Sequence, residues 1–336
     1  MEASRSLAHE AAAPDRGAAA ERAAAQAARD ALRAEILAGL RAPAKHLPCK
    51  LFYDARGADL FERITTLPEY YPTRTELGIL EHALPEIAAL TGRDARVVEY
   101  GSGSGRKTRL LLRALESPAA YAPVDISRLQ LGEVAHALGR EFPELHVTPV
   151  AADYTADFHL PPRQARHGRT LAFFPGSTIG NFEPEQALHF LNRVRALVGD
   201  DGALLIGVDF VKDIRTLERA YNDAEGVTAA FNLNMLTHVN RLVGTDFHVG
   251  RFRHAAVFDA RASRIEMRLI SFYAQVVRVP DAPPFFLRPG EHITTEHSYK
   301  YQPSAFTELA ARAGFRVQRL WTDARRWFGV FLLARA

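Results

Sequence analysis

Arg96-Val-Val-Glu-Tyr-Gly-Ser-Gly-Ser-Gly-Arg-Lys107 is the stretch on which the reading of this 336-residue chain turns. Residues 97–100 form a short apolar run suited to a buried strand, and the residues from Arg106 to Leu115 have helical spacing. Gly101, Gly103 and Gly105 lie between them, where the backbone must turn sharply and approach a ligand with no Cβ in the way. The glycine spacing alone also fits a plain turn. The strand–turn–helix setting is the context a cofactor loop requires.

Downstream, residues 121–125, 146–153, 170–175 and 202–209 read as further buried strands, with helices at 129–142 and 184–197. This alternation predicts a parallel sheet with helices on both faces. The pattern then stops for about 90 residues, with helices suggested at 217–220 and 227–236. Residues 250–258 and 264–279 alternate as antiparallel strands do. A helix at 304–313 and strands at 315–322 and 327–333 close the chain. Two consecutive strands without a helix between them are antiparallel neighbours. The expected class is therefore α/β: a Rossmann-like methyltransferase core, not a dehydrogenase, with a parallel seven-stranded sheet and an antiparallel C-terminal hairpin.

Upstream, residues 1–44 are Ala-rich and interrupted by Glu2, Glu10, Asp15, Glu21 and Asp30, unlike a transit peptide or secretory signal. They read as an extension, dispensable before about residue 20, with a helix at about 25–40. The aromatic segment 51–74, with Pro68 and Pro72, reads as a loop between short helices. Residues 76–90 have helical spacing, and Pro85 is expected to kink or split that helix.

Forty-two basic against 39 acidic residues give a net charge of +3, too slight an excess to argue for nucleic acid. A single cysteine, Cys49, excludes a disulfide framework and a multi-cysteine zinc site, and no H-x-x-x-H pair supports a metal. No apolar run approaches the roughly 18 residues of a membrane span. The expectation is a soluble, cytoplasmic monomer acting on a small molecule.

Asp125 lies 24 residues after Gly101, at a strand tip where a carboxylate can accept from both ribose hydroxyls; capping the next helix is the plainer reading. Asp153-Tyr154 ends the third strand, where an acid can receive an adenine amino group and an aromatic can stack. Lys107 can hold a carboxylate or simply be solvated. Together these point to an adenosine cofactor, and the C-terminal hairpin tips the choice to S-adenosylmethionine. Phe173-Phe-Pro-Gly-Ser-Thr-Ile-Gly-Asn-Phe182 leaves strand four at the switch point of the sheet, presenting Asn181 either to a substrate or as a helix cap. No catalytic dyad is evident. Methyl transfer from a sulfonium needs a neutral nucleophile and in-line alignment, so positioning suffices.

At these residues the chain closely resembles the ergothioneine-pathway L-histidine Nα-methyltransferases. The matching segments are Phe52-Tyr-Asp-Ala-Arg-Gly57, Leu67-Pro-Glu-Tyr-Tyr-Pro-Thr-Arg74, Glu99-Tyr-Gly-Ser-Gly-Ser-Gly-Arg-Lys107, Phe174-Pro-Gly-Ser-Thr-Ile-Gly-Asn-Phe182, Ala220-Tyr-Asn-Asp-Ala224, Gly226-Val-Thr-Ala-Ala-Phe-Asn232, Ile265-Glu-Met-Arg268 and Thr295-Glu-His-Ser298. The resemblance implies three methyl transfers to the α-amine of histidine, giving hercynine. It places Gly101, Gly103, Lys107, Asp125, Asp153 and Tyr154 at the cofactor. Tyr70, Gly176, Asn181, Tyr221, Thr228, Met267, Glu296 and Ser298 fall at the substrate, with Tyr53 and Asn181 nearest the reacting amine. Asn181 and Tyr221 would hold the amino-acid end, and Glu296 and Ser298 the imidazole. His297, between those two, has no assigned part beyond facing the other side of a strand.

The resemblance divides the chain into the extension 1–44, a core of 91–212 completed by 301–336, and one substrate domain composed of 45–90 and 213–300. Taken singly, Tyr70 and Tyr221 also fit buried core tyrosines, Met267 core filler, and Glu296 a solvated strand face. The competing functions are an N-methyltransferase of another aromatic amino acid such as a prenylated tryptophan, a nicotinamide-dependent dehydrogenase, and a non-catalytic amino-acid-binding protein.

Overall fold

A computed structural model describes residues 16–103, 105–156, 158–162 and 167–336. The first 15 residues of the Ala-rich extension and Ser104 of the glycine loop lie outside the described residues. The chain opens with helix α1 (Arg16–Arg41), a 3-10 turn (Cys49–Phe52), α2 (Ala55–Thr66) and α3 (Tyr71–Thr91). It continues through β1 (Arg96–Tyr100), α4 (Arg106–Ala114), β2 (Ala120–Asp125), α5 (Arg128–Glu141), β3 (His146–Val147), β4 (Val150–Ala151) and β5 (Thr170–Phe174). A second 3-10 turn (Thr178–Asn181), α6 (Pro184–Val198) and β6 (Ala203–Asp209) follow. The irregular stretch supplies α7 (Ile214–Tyr221), α8 (Val227–Val243), β7 (Phe252–Asp259), β8 (Arg264–Ser271), β9 (Gln275–Val279), β10 (Ala282–Leu287) and β11 (His292–Tyr299). The chain closes with α9 (Pro303–Arg312), β12 (Phe315–Thr322) and β13 (Phe328–Arg335).

The main sheet runs β12-β13-β6-β5-β1-β2-β3, with β4 also beside β2. Strands β1 to β6 pair in parallel, while β13 lies antiparallel to both β6 and β12. The chain leaves β1 toward β2 on one side and later returns to β5 on the other. This reversal opens a crevice at the carboxyl ends of the strands. Continuous apolar strands such as Leu171–Phe174 and Leu204–Ile206 are buried because apolar clusters cover both faces of the sheet.

Three local expectations give way. The single strand expected at 146–153 is two short pieces, β3 and β4, so the main sheet counts eight strands instead of seven among the described residues. The break falls at Thr148-Pro149, where proline has no N–H for the ladder. Residues 264–279 form two strands, β8 and β9, instead of one. Helix α3 begins within the aromatic segment at Tyr71, with Pro72 in its first turn, and runs on through Pro85. Both prolines are tolerated for stated reasons. The N–H lost at a first turn has no helical partner anyway. Pro85 sits on the solvent side, where water can serve the carbonyl it leaves free, while Ala83, Leu84 and Ile87 stay buried.

A third apolar cluster joins distant parts of the chain. Ile36, Leu40, Leu51, Phe52, Leu60 and Tyr71 pack with Leu217, Phe231, Met235, Met267 and Ile293. Backbone bonds reinforce it: Leu47 N donates to Thr294 O at 2.9 Å and Thr294 N to Lys45 O at 2.9 Å, adding an extended segment to the edge of β11. This assembly closes over the crevice of the main sheet.

Candidate active site

The roof so formed encloses a cavity of about 1450 Å³ over the glycine loop and the carboxyl ends of β1, β2, β4 and β5. On the sheet side, Gly101, Gly103 and Gly105 have φ of 73°, 46° and 69°, values that favour glycine. Cβ atoms added at Gly101 and Gly103 would meet nothing within 4 Å, so the loop borders open space.

Asp125 ends β2 and accepts from Ser127 N at 3.0 Å, in a turn that holds it on the cavity wall. Burial raises its pKa, and the Ser127 and Ile126 amides oppose that rise. Asp153 makes the same kind of turn with Thr155 N at 2.8 Å. Tyr154 presents its ring edge-on to Tyr100 and Phe174 at 6.0 and 5.9 Å. Lys107 is already engaged: it pairs with the buried Glu76, whose oxygens also accept from Gly176 N at 3.0 and 2.8 Å. Glu76 thereby ties the glycine-loop helix to the loop after β5. These donors and acceptors fit an adenosine group with an amino-acid tail.

Tyr53, Tyr70, Gly176, Asn181, Glu296 and His297 line the same cavity from the roof and from the loop after β5. Asn181 does not cap α6, because Glu183 and Gln186 do so, with Glu183 N donating to Gln186 Oε1 at 3.0 Å. The Asn181 amide, the Tyr53 and Tyr70 hydroxyls and the Glu296 carboxylate form no hydrogen bond or ion pair among the described residues. Four polar groups thus border one cavity with their bonding capacity unused.

Glu296 reaches the cavity through a β-bulge. The pairing of β11 with β8 matches Thr294 to Arg268 and then Glu296 to Met267, so Thr295 is the extra residue. Strict alternation would send Glu296 out. The bulge instead turns both Thr295 and Glu296 toward α8, with Thr295 Oγ1 donating to Asn232 Oδ1 at 2.7 Å. Desolvation lifts the Glu296 carboxyl to about 7, and Lys300 alone pulls against it. His297 turns from Glu296 to the other face of β11, its Nδ1 at 2.5 Å from Glu183 Oε1, and that pair borders the cavity too.

Tyr221, Thr228, Met267 and Ser298 are buried and stand outside the cavity lining. Tyr221 Oη and Ser298 Oγ are 2.9 Å apart, and the Tyr221 ring meets Tyr70 edge-on at 6.0 Å. Met267 lies opposite Glu296 across the strand pair, and Thr228 sits in the first turn of α8, its N–H donating to Asp223 at 2.8 Å. Sequence reasoning missed Glu76, Asp209 and Lys300. Lys300 had a legible signal, since it follows Glu296 and Ser298 at a spacing of two along one strand face.

The profile of the family described as "Histidine-specific methyltransferase, SAM-dependent" matches residues 32–335. The chain belongs to this family. Histidine N-alpha-methyltransferase of Mycolicibacterium smegmatis is 43% identical over 317 residues, covering 93% of this chain and 97% of that protein. The enzyme of the same name from Mycobacterium tuberculosis is 41% identical, covering 91% and 95% respectively. Ergothioneine biosynthesis protein 1 of Neurospora crassa is 33% identical over 87% of this chain, which spans 33% of that longer protein. Family membership makes the chain an S-adenosylmethionine-dependent methyltransferase, with a mostly parallel sheet closed by an antiparallel hairpin. No helix among the described residues is long and apolar enough to cross a membrane.

Proposed function

We propose that the chain transfers three methyl groups in succession to the α-amino nitrogen of L-histidine, giving hercynine as the first step toward ergothioneine. The observation that carries this reading is Glu296, a carboxylate without a protein partner that borders the cavity together with Tyr53, Tyr70 and Asn181. Such a group suits a small polar ring with an N–H to donate. An indole lacks the second ring nitrogen that imidazole offers.

When bound, S-adenosylmethionine supplies an electrophilic methyl group on a sulfonium. Gly101 and Gly103 would accommodate its tail, Lys107 would face its carboxylate, and Asp125, Asp153 and Tyr154 would hold its nucleoside. On the substrate side, Tyr53 and Asn181 flank the α-amine, Tyr70 and Gly176 border it, and Tyr221 and Ser298 back the pocket, with Met267 and Thr228 beneath. No residue needs to form a covalent bond. The amine must shed its proton before attack, and the site contributes by holding the lone pair in line and excluding water. Residues 45–90 and 213–300 serve together as the substrate domain, joined by the shared apolar cluster.

The test is methyl transfer from labelled S-adenosylmethionine to a panel of free amino acids, with products resolved by mass. Histidine should be taken, and mono-, di- and trimethylated products should appear in order. Equal transfer to tryptophan, or no transfer to histidine, overturns the proposal.

A further inference from the structure

Asn181 and Glu296 reach the cavity from distant parts of the chain, and beside each of them stands a residue to which the reaction as described gives no role. Asn181 ends the 3-10 turn after β5, and Glu183, two residues on, leads into α6. Glu296 follows the bulge of β11, and His297 is the next residue. His297 Nδ1 lies 2.5 Å from Glu183 Oε1, and the Tyr299 hydroxyl donates to Glu183 Oε2 at 2.5 Å. Asn181, Glu183, Glu296 and His297 all border the cavity.

Charge settles which group donates. Burial alone would raise the Glu183 carboxyl. Hydrogen bonds from Tyr299 and His297, with the charges of His297 and Arg264, outweigh burial and hold it below its ordinary value, so it is ionised at neutral pH. A carboxylate only accepts, so Nδ1 carries the hydrogen. The other ring nitrogen is 3.7 Å from Glu266 Oε1 on β8, which sets the imidazole between a carboxylate of the core and one of the roof. Arg264 braces the group, donating to the Tyr299 hydroxyl and to Glu266 Oε1, each at 2.6 Å. Among the described residues no backbone hydrogen bond joins residues 176–183 to 294–300. Packing of Gly180 on the Tyr299 carbonyl and these side chains hold the two segments together.

We propose that the His297–Glu183 bond fixes the gap between the Asn181 amide and the Glu296 carboxylate, and so measures the amino acid from its α-amine to its ring. His297 is a positioning residue that touches neither end of the substrate. The inference rests on the proposed substrate class, with Asn181 at the α-amine and Glu296 at the imidazole. One residue step separates His297 from Glu296, and two separate Glu183 from Asn181, so slack in the bond passes straight to the gap. An amino acid one methylene longer can satisfy Glu296 only by drawing its amine out of line.

The experiment compares L-histidine with L-homohistidine, whose imidazole stands one methylene further from the α-carbon, by kcat/KM for methyl transfer in the full chain. Wild type should favour histidine by about 10- to 200-fold, the range over which a fixed site resolves one methylene. In His297→Leu the activity on homohistidine should rise about 3- to 10-fold while that on histidine falls, as expected for a charge-assisted bond partly screened by water. A merely destabilised fold would lower both. His297→Asn keeps an N–H donor near the Nδ1 position and should restore wild-type selectivity. Glu183→Ala removes the acceptor; it should relax selectivity as His297→Leu does, and it serves where that variant fails to fold. A wild type that methylates no histidine overturns the proposed function. A wild type that methylates histidine but takes homohistidine equally well, or variants whose selectivity stays within about twofold of wild type, overturns the role of the His297–Glu183 bond alone.

Discussion

Asp125 and Glu296 are both carboxylates on the wall of one cavity, yet they are held by different means. Asp125 is fixed by an amide two residues further along its own chain, in a turn between one strand and the next helix. Glu296 has no bond of its own. Its position depends on a bulge in β11, on β8 beside it, and on residues 45–47 along the strand edge. One half of the cavity is local chain geometry at successive strand tips. The other half exists only when segments more than 200 residues apart have packed. A carboxylate with no protein partner is left to a ligand.

The contrast is broken first at Glu296. Glu296→Ala should lower kcat/KM for histidine by about 100-fold or more, chiefly through KM, because the site rejects or accepts its ligand on that hydrogen bond. Steady-state kinetics on the purified protein check it, and a loss under about threefold would place the imidazole elsewhere. On the other half, Asp125→Ala should weaken S-adenosylhomocysteine binding by roughly 10- to 100-fold in calorimetric titration. It should leave thermal stability nearly unchanged, since the bond lost is local. Affinity within about twofold of wild type would remove Asp125 from the cofactor site.

The seam between the halves can be tested by volume. A Cβ at Gly180 would meet Tyr299 O at 2.7 Å, where the loop after β5 touches the strand that carries Glu296. Gly180→Ala should cost about 1–3 kcal/mol of stability through overpacking, seen as a lower melting midpoint. An unshifted midpoint would mean that the two segments part freely.

The smallest effect concerns the energy held at Glu296. Its carboxyl is lifted from an ordinary value near 4.5 to about 7, so between those pH values the folded state binds the proton more tightly than the unfolded state. Stability contributed by this group therefore falls as pH rises from about 4.5 to 7 and stays low above. Glu296→Gln should be more stable than wild type at pH 8, on the order of 1–2 kcal/mol, and equal to it near pH 4. Paired denaturant titrations at the two pH values measure this. A variant less stable than wild type at pH 8 would mean that Glu296 is not desolvated.

How much of this was readable in advance follows the same division. Gly101 and Asp125 each sit at the end of an apolar run before a helix, Asp153 sits at the end of a third such run, and the strand-and-turn pattern locates them without tertiary knowledge. The C-terminal hairpin is legible because two strands meet with no helix between. Residues of the roof carry no such pattern. Glu296 was reachable only through family resemblance, because a bulge breaks the period of two that strand reading relies on. Pro85 misled for a related reason: its cost is local, and the burial of Ala83, Leu84 and Ile87 that outweighs it is not. The Lys107 pairing with Glu76 joins residues 31 positions apart, beyond any motif.

The bulge at Thr295 also bears on how the chain finds its native pairing. A strand can slip by one residue with little loss of backbone bonding, exchanging its two faces. In β11 such a slip would turn Glu296 toward Arg264 and Arg268, which now hold Glu266, and would bring His297 inside. The competing frame is electrostatically attractive. What opposes it is the Thr295 hydroxyl, which reaches Asn232 and the Met267 carbonyl only in the native frame. Nascent chains that settle one residue out of step would keep their backbone ladder and lose the carboxylate from the cavity. Refolded material of full secondary structure and fractional specific activity is what such a mispaired population would look like, and Thr295→Val should enlarge it.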